Sequence, residues 1–408
     1  MVNNALFILE VGKESLVTIL RNCRVIDVKE GVARETSVKV QKGQIVELGE
    51  SRDPGEDFID LGGAYLLPGL ITSHVHLGHV FPFNEMDPNE SPALTVLRCY
   101  RRGVDALRAG ITTVRTMSTR YGADIHLRTM IRNGWVEGPR IVSACRGISA
   151  TGGHGSRIGA LLADSPDEFR KRAREELVAG ADHLKIFITG GISHREETFG
   201  EPQMTLEEME AVVSVARSKN TYVVVHSGDS GAILKAVRAG VLSFEHGYLL
   251  DREAARAIRG SGGYLTPTLV VTRSANWMKE HRFEPWTIEK ALDAAPDHLE
   301  SARTAIREGV KILNGTDIPP GEKDEGVNIV VRECEYLVEA GLSPLGSIQT
   351  CTTNPAELMK LDKQIGKVEP GYQADLVATR ENPLKDIHAL RGIFFVMQSG
   401  KVIRQDHV

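Results

Sequence analysis

The sequence predicts an α/β protein in which a (β/α)8 TIM barrel carries a small β-sandwich domain formed from both chain ends. Two observations support this fold class. The middle of the chain alternates eight short apolar runs with helix-like segments, which is typical of a barrel of parallel strands. Each end is rich in short strand-like runs, but neither end offers enough strands for a stable sheet. We therefore expect residues 1–66 and 362–408 to form the sandwich and residues 67–361 to form the barrel.

The strands predicted at the two ends are short and are separated by charged or glycine-containing turns. They cover residues 19–26, 37–40, 44–48, 375–378, 392–396 and 401–404. The eight barrel runs are mostly continuous apolar stretches, as expected for strands that are buried on both faces. They cover residues 65–75, 111–117, 140–144, 183–188, 222–226, 241–246, 264–271 and 310–316.

Helix start signals lie between the barrel runs. Ser165-Pro166-Asp167-Glu168 combines a capping box with a proline at the first helical position. Thr205 and Glu208 have the spacing of a second capping box. These signals support the alternation of strands and helices.

Composition and charge exclude several classes of protein. The net charge of −5 over 408 residues gives no reason to expect a nucleic-acid partner, which normally needs a basic face. The apolar run 5–9 ends at Glu10, and no other run is long enough to span a bilayer, so we expect a cytoplasmic protein. The five scattered cysteines include no C-x-x-C pair, which argues against disulfides and a thiolate zinc site. The expected partner is a small-molecule substrate, and homo-oligomer formation is left open.

In a barrel of this kind the active site lies at the carboxyl ends of the strands. The first barrel run ends in His74-Val75-His76, and residues two apart in a strand point to the same side. Both imidazoles can therefore reach one metal ion. Lys185 lies inside the apolar fourth run, where a lysine is costly unless it is neutralised or paired. Taken alone, it could instead extend past a helix into solvent.

Three further candidates also lie at the ends of predicted barrel strands. His226 and His246 end the fifth and sixth runs, and Asp317 follows the eighth. Singly, each histidine is more often a hydrogen-bonded structural residue, and an aspartate after a strand more often caps a helix. Together with the first and fourth runs, they place metal-binding residue types at five strand ends, which indicates a metal site.

The sequence resembles the amidohydrolase superfamily across essentially the whole chain. The resemblance is carried by Leu67-Pro68-Gly69-Leu70-Ile71 before the histidine pair, by residues 109–115, and by the closing segment 366–376. Residues 151–155 and the segment 184–191, which includes Lys185, are most similar to prolidase-like and arginine carboxypeptidase-like dipeptidases. Thr72 and Thr116 depart from that pattern at positions where many members have aspartate, which leaves the substrate open.

The resemblance implies two divalent metal ions, with zinc expected, bridged by a Lys185 that CO2 has carboxylated. Imidazole and carboxylate ligands also suit Mn²⁺, Co²⁺ and Fe²⁺. The implied metal ligands are His74, His76, Lys185, His226, His246 and Asp317. The nucleophile would be a hydroxide bridging the two ions, and Asp317 would accept its proton. His154 and Tyr248 would stabilise the oxyanion or hold the substrate, although a structural role remains open for each.

The favoured function is hydrolysis of a C–N amide bond in a dipeptide or an N-acyl amino acid. The alternative keeps the site and changes the bond to that of a urea, carbamate, cyclic amide or xenobiotic amide. A non-catalytic scaffold or a deaminase is less well supported, because the full ligand set with its lysine is present. The loops at 77–92, 272–296 and 319–326 are expected to select the substrate. Arg115 or Arg195 could pair with its carboxylate, although a role at the surface or in support of the metal ligands is favoured for each.

Overall fold

The computed structural model describes residues 17–49 and 58–406, and the apolar run 5–9 lies outside them. The strands are β1 (Val17–Asp27), β2 (Val32–Gln41), β3 (Gln44–Leu48), β4 (Phe58–Pro68), β5 (Leu70–Val75), β6 (Ile111–Thr116), β7 (Arg140–Ser143), β8 (Ile148–Ser149), β9 (Leu161–Leu162), β10 (Leu184–Phe187), β11 (Val223–Asp229), β12 (Ser243–Leu249), β13 (Tyr264–Thr266), β14 (Lys311–Ile312), β15 (Lys323–Asp324), β16 (Val327–Asn328), β17 (Leu376–Thr379), β18 (Ile393–Gln398) and β19 (Lys401–Gln405).

The α-helices lie mainly between the strands of the middle region. They are α1 (Pro92–Arg108), α2 (Ala123–Arg132), α3 (Pro166–Ala179), α4 (Leu206–Ser218), α5 (Ser230–Ala239), α6 (Arg252–Gly260), α7 (Val270–Arg273), α8 (Ala275–Glu280), α9 (Pro285–Arg307), α10 (Ile329–Glu339), α11 (Pro344–Thr350) and α12 (Thr353–Leu358). None of the helices in the described part of the chain combines the length and the apolar character needed to cross a membrane.

Strands from the two chain ends form one seven-stranded sheet in the order β19-β18-β17-β4-β1-β2-β3. The ends meet where β17 pairs antiparallel with β4, so that Leu376 lies opposite Pro68. Leu20, Leu66 and Phe395 are fully buried in the core of this region. The joint assembly of the two ends is therefore present. The described residues form a single sheet here, and its division into a sandwich stays a prediction.

The eight predicted barrel runs contain strands of two parallel sheets. β5, β6 and β7 form one, and the order β14-β13-β12-β11-β10-β8-β9 forms the other. Backbone hydrogen bonds also connect the two sheets, among them one from Ser73 N–H to the Asn314 carbonyl (2.7 Å) and one from Asp182 N–H to the Ser143 carbonyl (2.7 Å). The architecture is thus α/β with the strands in the predicted order. The hydrogen-bonded sheets are not closed into one barrel.

Three predicted runs differ from the observed strands. The run 65–75 is divided at Gly69, where a Cβ atom would lie 2.3 Å from the Thr112 side chain. The part before Gly69 belongs to β4, and the predicted domain boundary at residue 66 therefore falls inside that strand. The run 264–271 turns into α7, and the run 310–316 keeps only β14 as strand. After β14 the backbone partners change, since Asn314 N–H donates to the Thr350 carbonyl.

The predicted helix starts are largely confirmed. Thr205 and Glu208 form a complete capping box at the start of α4. At α3, the Ser165 hydroxyl accepts from the Glu168 N–H, but the Glu168 carboxylate accepts from Asp164 N–H (2.8 Å) instead of closing the box. All five cysteines are free and buried.

Candidate metal centre

The histidine pair at the end of β5 converges on one carboxylate oxygen. His74 Nε2 lies 3.1 Å and His76 Nε2 lies 2.9 Å from Asp317 Oδ1. Both imidazoles are buried, whereas a quarter of the Asp317 side chain (25%) is exposed, and all three residues line the same cavity. The first and eighth strand ends therefore meet as the sequence predicted.

His246 joins this group from the end of β12. Ligand atoms of His74, His246 and Asp317 all lie within 4.8 Å of one another. His246 and Asp317 both have positive φ, +67° and +58°, which is uncommon for residues other than glycine. Backbone in this region is costly and clusters at functional sites. The two positions are therefore held in place by the surrounding structure, with their side chains directed into the cavity.

His226, at the end of β11, completes the histidine set. Its ring centroid lies 4.6 Å from that of His246, and its Nε2 lies 3.2 Å from the Gly190 carbonyl oxygen. The Nδ1 atom of His246 lies 2.7 Å from the Thr268 hydroxyl, which leaves Nε2 of His246 free to face the cavity. The four predicted histidines and Asp317 thus share one cavity.

Lys185 is buried on β10 and lines the same cavity with 1% of its surface exposed. Among the described residues, no hydrogen bond or ion pair reaches its Nζ, and its near neighbour is the Phe187 ring at 5.2 Å. Burial lowers the pKa of Lys185 to about 8, against the opposing influence of Glu245 and Asp317. The alternative in which this lysine extends into solvent is therefore wrong.

A buried ion pair that the sequence analysis did not identify supports His74. Glu245 Oε2 lies 2.6 Å from His74 Nδ1, and Glu245 Oε1 accepts from Arg115 Nη2 at 3.0 Å. Burial alone would raise the pKa of the Glu245 carboxyl, but Arg115 and His74 together lower it to about 2. Because the Glu245 carboxylate engages Nδ1, the His74 Nε2 atom is left for a ligand in the cavity. The signal in the sequence was Glu245, a charged residue next to His246 inside an otherwise apolar run.

This network also decides the role of Arg115. Its guanidinium is fully buried, and its Nε donates to the Ser73 carbonyl at 2.6 Å. It is therefore committed to the protein interior, in agreement with the supporting role favoured over pairing with a substrate carboxylate. Arg195 is exposed and does not line the cavity that holds the four histidines, Lys185 and Asp317, which together are the candidate metal-binding group.

His154 and Tyr248 both line the cavity, as predicted. The His154 ring stacks on His226 at a centroid distance of 4.2 Å, and the Tyr248 ring stacks on His246 at 5.2 Å. Burial raises the pKa of Tyr248 well above its ordinary value, so that its phenol keeps its proton. Each residue thus presents a polar group beside one of the histidines.

Glu197 is a second residue that the sequence analysis missed. Its Oε2 atom lies 2.5 Å from His154 Nδ1 and accepts from Gly191 N–H at 3.0 Å. The ligand atoms of Glu197, His154 and His194 lie within 4.8 Å of one another, but this carboxylate oxygen already binds His154. Glu197 therefore orients His154 from the loop after β10.

The outer wall of the cavity is aromatic. Phe81 and Phe83 come from the predicted substrate loop 77–92. Trp277 and Phe283 come from the segment 272–296, which was predicted as a loop but is largely helical, with Trp277 in α8 and Phe283 between α8 and α9. Trp286 lies at a different surface cavity, and the loop 319–326 does not contribute to this one.

The donor set fits a divalent metal ion. Imidazole nitrogens and a carboxylate oxygen converge, the His74 ring is oriented by a buried carboxylate, and strained backbone fixes two of the ligands. Comparison with protein families agrees with this chemistry, since the model of the amidohydrolase family matches residues 65–404. The chain belongs to the amidohydrolase family. The predicted enzyme class, a hydrolase acting on carbon–nitrogen bonds, is thereby confirmed.

Individual relatives agree with the family. The ochratoxinase of Aspergillus niger is 28% identical over 378 residues, covering 83% of this chain and 75% of that protein. A solved Xaa-Pro dipeptidase with methionine bound in its active site superposes with a TM-score of 0.86 at 29% identity, covering 95% of this chain and all of that one. A solved prolidase with bound N-methylphosphonate-L-proline gives a TM-score of 0.87 at 29% identity, covering 96% of this chain and 100% of that one. The predicted likeness to prolidase-like dipeptidases is confirmed.

Proposed function

We propose that this amidohydrolase cleaves an amide C–N bond at two divalent metal ions, with zinc expected. The observation that carries the proposal is a buried lysine that has no hydrogen-bonding or ionic partner within the described part of the chain. It lies in the cavity where four histidines and an aspartate converge. The ligands would be His74, His76, Lys185, His226, His246 and Asp317, with Lys185 carboxylated by CO2. Ions held in this way supply an activated water and polarise the substrate carbonyl.

The remaining chemistry belongs to side chains of the cavity. The partly exposed Asp317 carboxylate is placed to accept the proton of the attacking water and to pass it to the leaving amine. The protonated phenol of Tyr248 and the imidazole of His154 are placed to donate hydrogen bonds to the developing oxyanion or to the substrate. The pair of Glu245 and Arg115 keeps the His74 ring in one orientation.

The substrate proposed first is a dipeptide or an N-acyl amino acid. The family likeness supports it, and His154 is the cavity side chain available to hold a free carboxylate. A second substrate class, neutral amides, ureas and carbamates, is favoured by a specific observation. The cavity lining includes no arginine, and its one lysine is Lys185, which the metals would engage.

The test combines metal content with substrate class. We expect about two metal ions per chain in the wild-type protein and a sharp fall in Lys185→Ala, because the bridging ligand is lost. Lys311→Ala, at an exposed lysine paired with Glu357, is the matched control and should keep the metal. Metal content that does not depend on Lys185 would contradict the two-metal site.

The same preparations are assayed on N-acyl amino acids, on their carboxamides and on aryl ureas. Hydrolysis restricted to compounds with a free carboxylate supports the first substrate class. Turnover of the neutral compounds supports the second. A metal-loaded protein that cleaves none of them would contradict the proposed function.

Three organisational predictions are retained with this proposal. They are closure of the two parallel sheets into one (β/α)8 barrel, the division into residues 1–66 with 362–408 and residues 67–361, and a cytoplasmic location. The fold shared with solved amidohydrolases supports the first of these.

A further inference from the structure

The cavity is chemically different at its two ends, and the order of ring contacts defines them. His74 contacts both His76 (5.4 Å between centroids) and His246 (4.9 Å), and His246 contacts His226 (4.6 Å). The histidines therefore form a row that has His76 at one end and His226 at the other. A substrate whose scissile bond lies over the middle of this row must extend towards both ends.

The end beside His76 leads to an aromatic wall, defined as Phe81, Phe83, Trp277 and Phe283. His79 stacks against His76 at 4.1 Å, and the ring of Phe83 follows at 5.8 Å from His79. The end beside His226 combines polar groups with one ring. There His154 stacks on His226, its Nε2 lies 3.4 Å from the Ser193 hydroxyl, and the Phe187 ring lies 5.9 Å from the His154 ring.

The aromatic wall is a continuous cluster. Phe81 lies 5.0 Å from Phe83 and 5.6 Å from Trp277, and Trp277 lies 5.5 Å from Phe283. Phe81 and Phe283 face each other in a stacked arrangement at 6.2 Å. Such distances and angles are those of favourable aromatic pairs, and the cluster offers both ring faces and ring edges to a further ring.

This wall borders the cavity instead of lying wholly in the core. Phe81, Phe83 and Phe283 are half-buried, and all of them line the same cavity as the metal-binding group. Val271, Met278 and Ile318 extend the apolar surface, and no charged side chain of the lining lies beyond the metal-binding group and His154. Apolar surface that faces a cavity beside a reactive centre is suited to binding an apolar ligand group.

We propose that the substrate is an N-aroyl compound, in which an aromatic ring on the acyl side binds the aromatic wall. The amine side then carries a hydrogen-bond acceptor, such as a carboxylate, towards His154 and Ser193. This inference rests on the proposed function and narrows it to a substrate class. Hydrolysis would place the aromatic acid at the wall and release the amine towards His154.

The experiment compares N-benzoyl, N-cyclohexanecarbonyl and N-acetyl derivatives of one amino acid as substrates. We expect kcat/KM for the benzoyl compound to exceed that for the acetyl compound by about tenfold or more, as is usual for an apolar group that fills its pocket. Phe283→Leu and Phe83→Leu keep most of the apolar volume and remove a ring, so both should reduce this ratio. Trp286→Leu replaces an aromatic residue of the same segment 272–296 that lies outside this cavity, and it should leave the ratio unchanged.

A binding measurement separates the two proposals. In a Trp135→Phe/Trp286→Phe background, Trp277 is the remaining tryptophan, and its fluorescence reports on the wall directly. N-benzoylglycine and benzamide should change this fluorescence, and the change should weaken in Phe283→Leu. Binding without hydrolysis of any derivative would support the aromatic subsite and overturn the proposed function. Hydrolysis without a benzoyl preference, or a preference that both leucine variants retain, would overturn the aromatic subsite alone.

Discussion

Two histidine–glutamate pairs in this amidohydrolase have nearly the same geometry and very different surroundings. His74 Nδ1 lies 2.6 Å from Glu245, and His154 Nδ1 lies 2.5 Å from Glu197. The first pair has side chains that are 1% and 0% exposed and lie on the parallel strands β5 and β12. The second pair lies on loops at the cavity, with side chains that are 9% and 10% exposed.

The two glutamates differ in the groups that hold their carboxylates in place. Glu245 is neutralised by the fully buried Arg115, because an isolated charge in the interior would be very costly. Glu197 is held by backbone instead, through the N–H of Gly191. The ammonium of Lys290 fastens the same loop by donating to three carbonyls, those of Gly191 (2.8 Å), His194 (2.7 Å) and Glu197 (2.6 Å).

The same type of histidine–glutamate hydrogen bond thus serves different purposes in the interior and at the cavity. The interior pair belongs to the folded framework and holds His74, a proposed metal ligand. The loop pair orients His154, which is proposed to contact the substrate. Substitutions should therefore affect stability and metal binding at the first pair and substrate affinity at the second.

The largest effect should come from Arg115→Met. Removing this guanidinium leaves the Glu245 carboxylate buried without its cationic partner, and we expect the free energy of unfolding to fall by about 3–5 kcal/mol. Urea denaturation measures this change. Arg404→Met is the control, because its ion pair with Asp406 lies at the surface and should contribute about 0–1 kcal/mol. Equal losses in the two variants would show that the interior pair has no special role.

An intermediate effect is expected for Glu245→Gln. The amide can still meet His74 Nδ1, but it lacks the charge that orients the ring and balances Arg115. Metal affinity should fall by about 10–100-fold, as is usual for such supporting residues. Competition with a chelator measures it. Glu176→Gln removes another buried carboxylate that pairs with an arginine, away from the cavity, and should leave the metal affinity unchanged. If Glu245→Gln also kept the wild-type metal affinity, Glu245 would not support metal binding.

The smallest effect is expected for Glu197→Gln. Without the Glu197 carboxylate, His154 is less firmly oriented, and its hydrogen bond to the substrate should weaken. We therefore expect KM for carboxylate-bearing substrates to rise by about fivefold while kcat stays nearly constant. Steady-state kinetics distinguish this result from a general loss of activity. Glu196→Gln, at the exposed neighbouring position, is the matched control. A fall in kcat at constant KM would place Glu197 in the chemical step instead.

Much of the candidate site could be predicted because it depends on strand ends. HxH spacing places His74 and His76 on one side of β5, and residues at or near the ends of the fourth, fifth, sixth and eighth runs reach the same cavity. Glu245 and Glu197 could not be predicted in the same way. Glu245 meets His74 across 171 positions of sequence, and Glu197 meets His154 across 43. No local sequence pattern indicates which histidine a given glutamate will contact in the folded protein.

The sequence by itself determined the order of strands and helices, the helix starts at Ser165 and Thr205, and the residue types at the strand ends, because each of these follows from local periodicity and hydrogen bonding. Only the tertiary structure decided that Arg115 turns inward to Glu245 and that two distant segments join into one aromatic wall. These outcomes depend on which surfaces pack together once the strands have assembled. A buried charge or ring takes the partner that the packing brings near it.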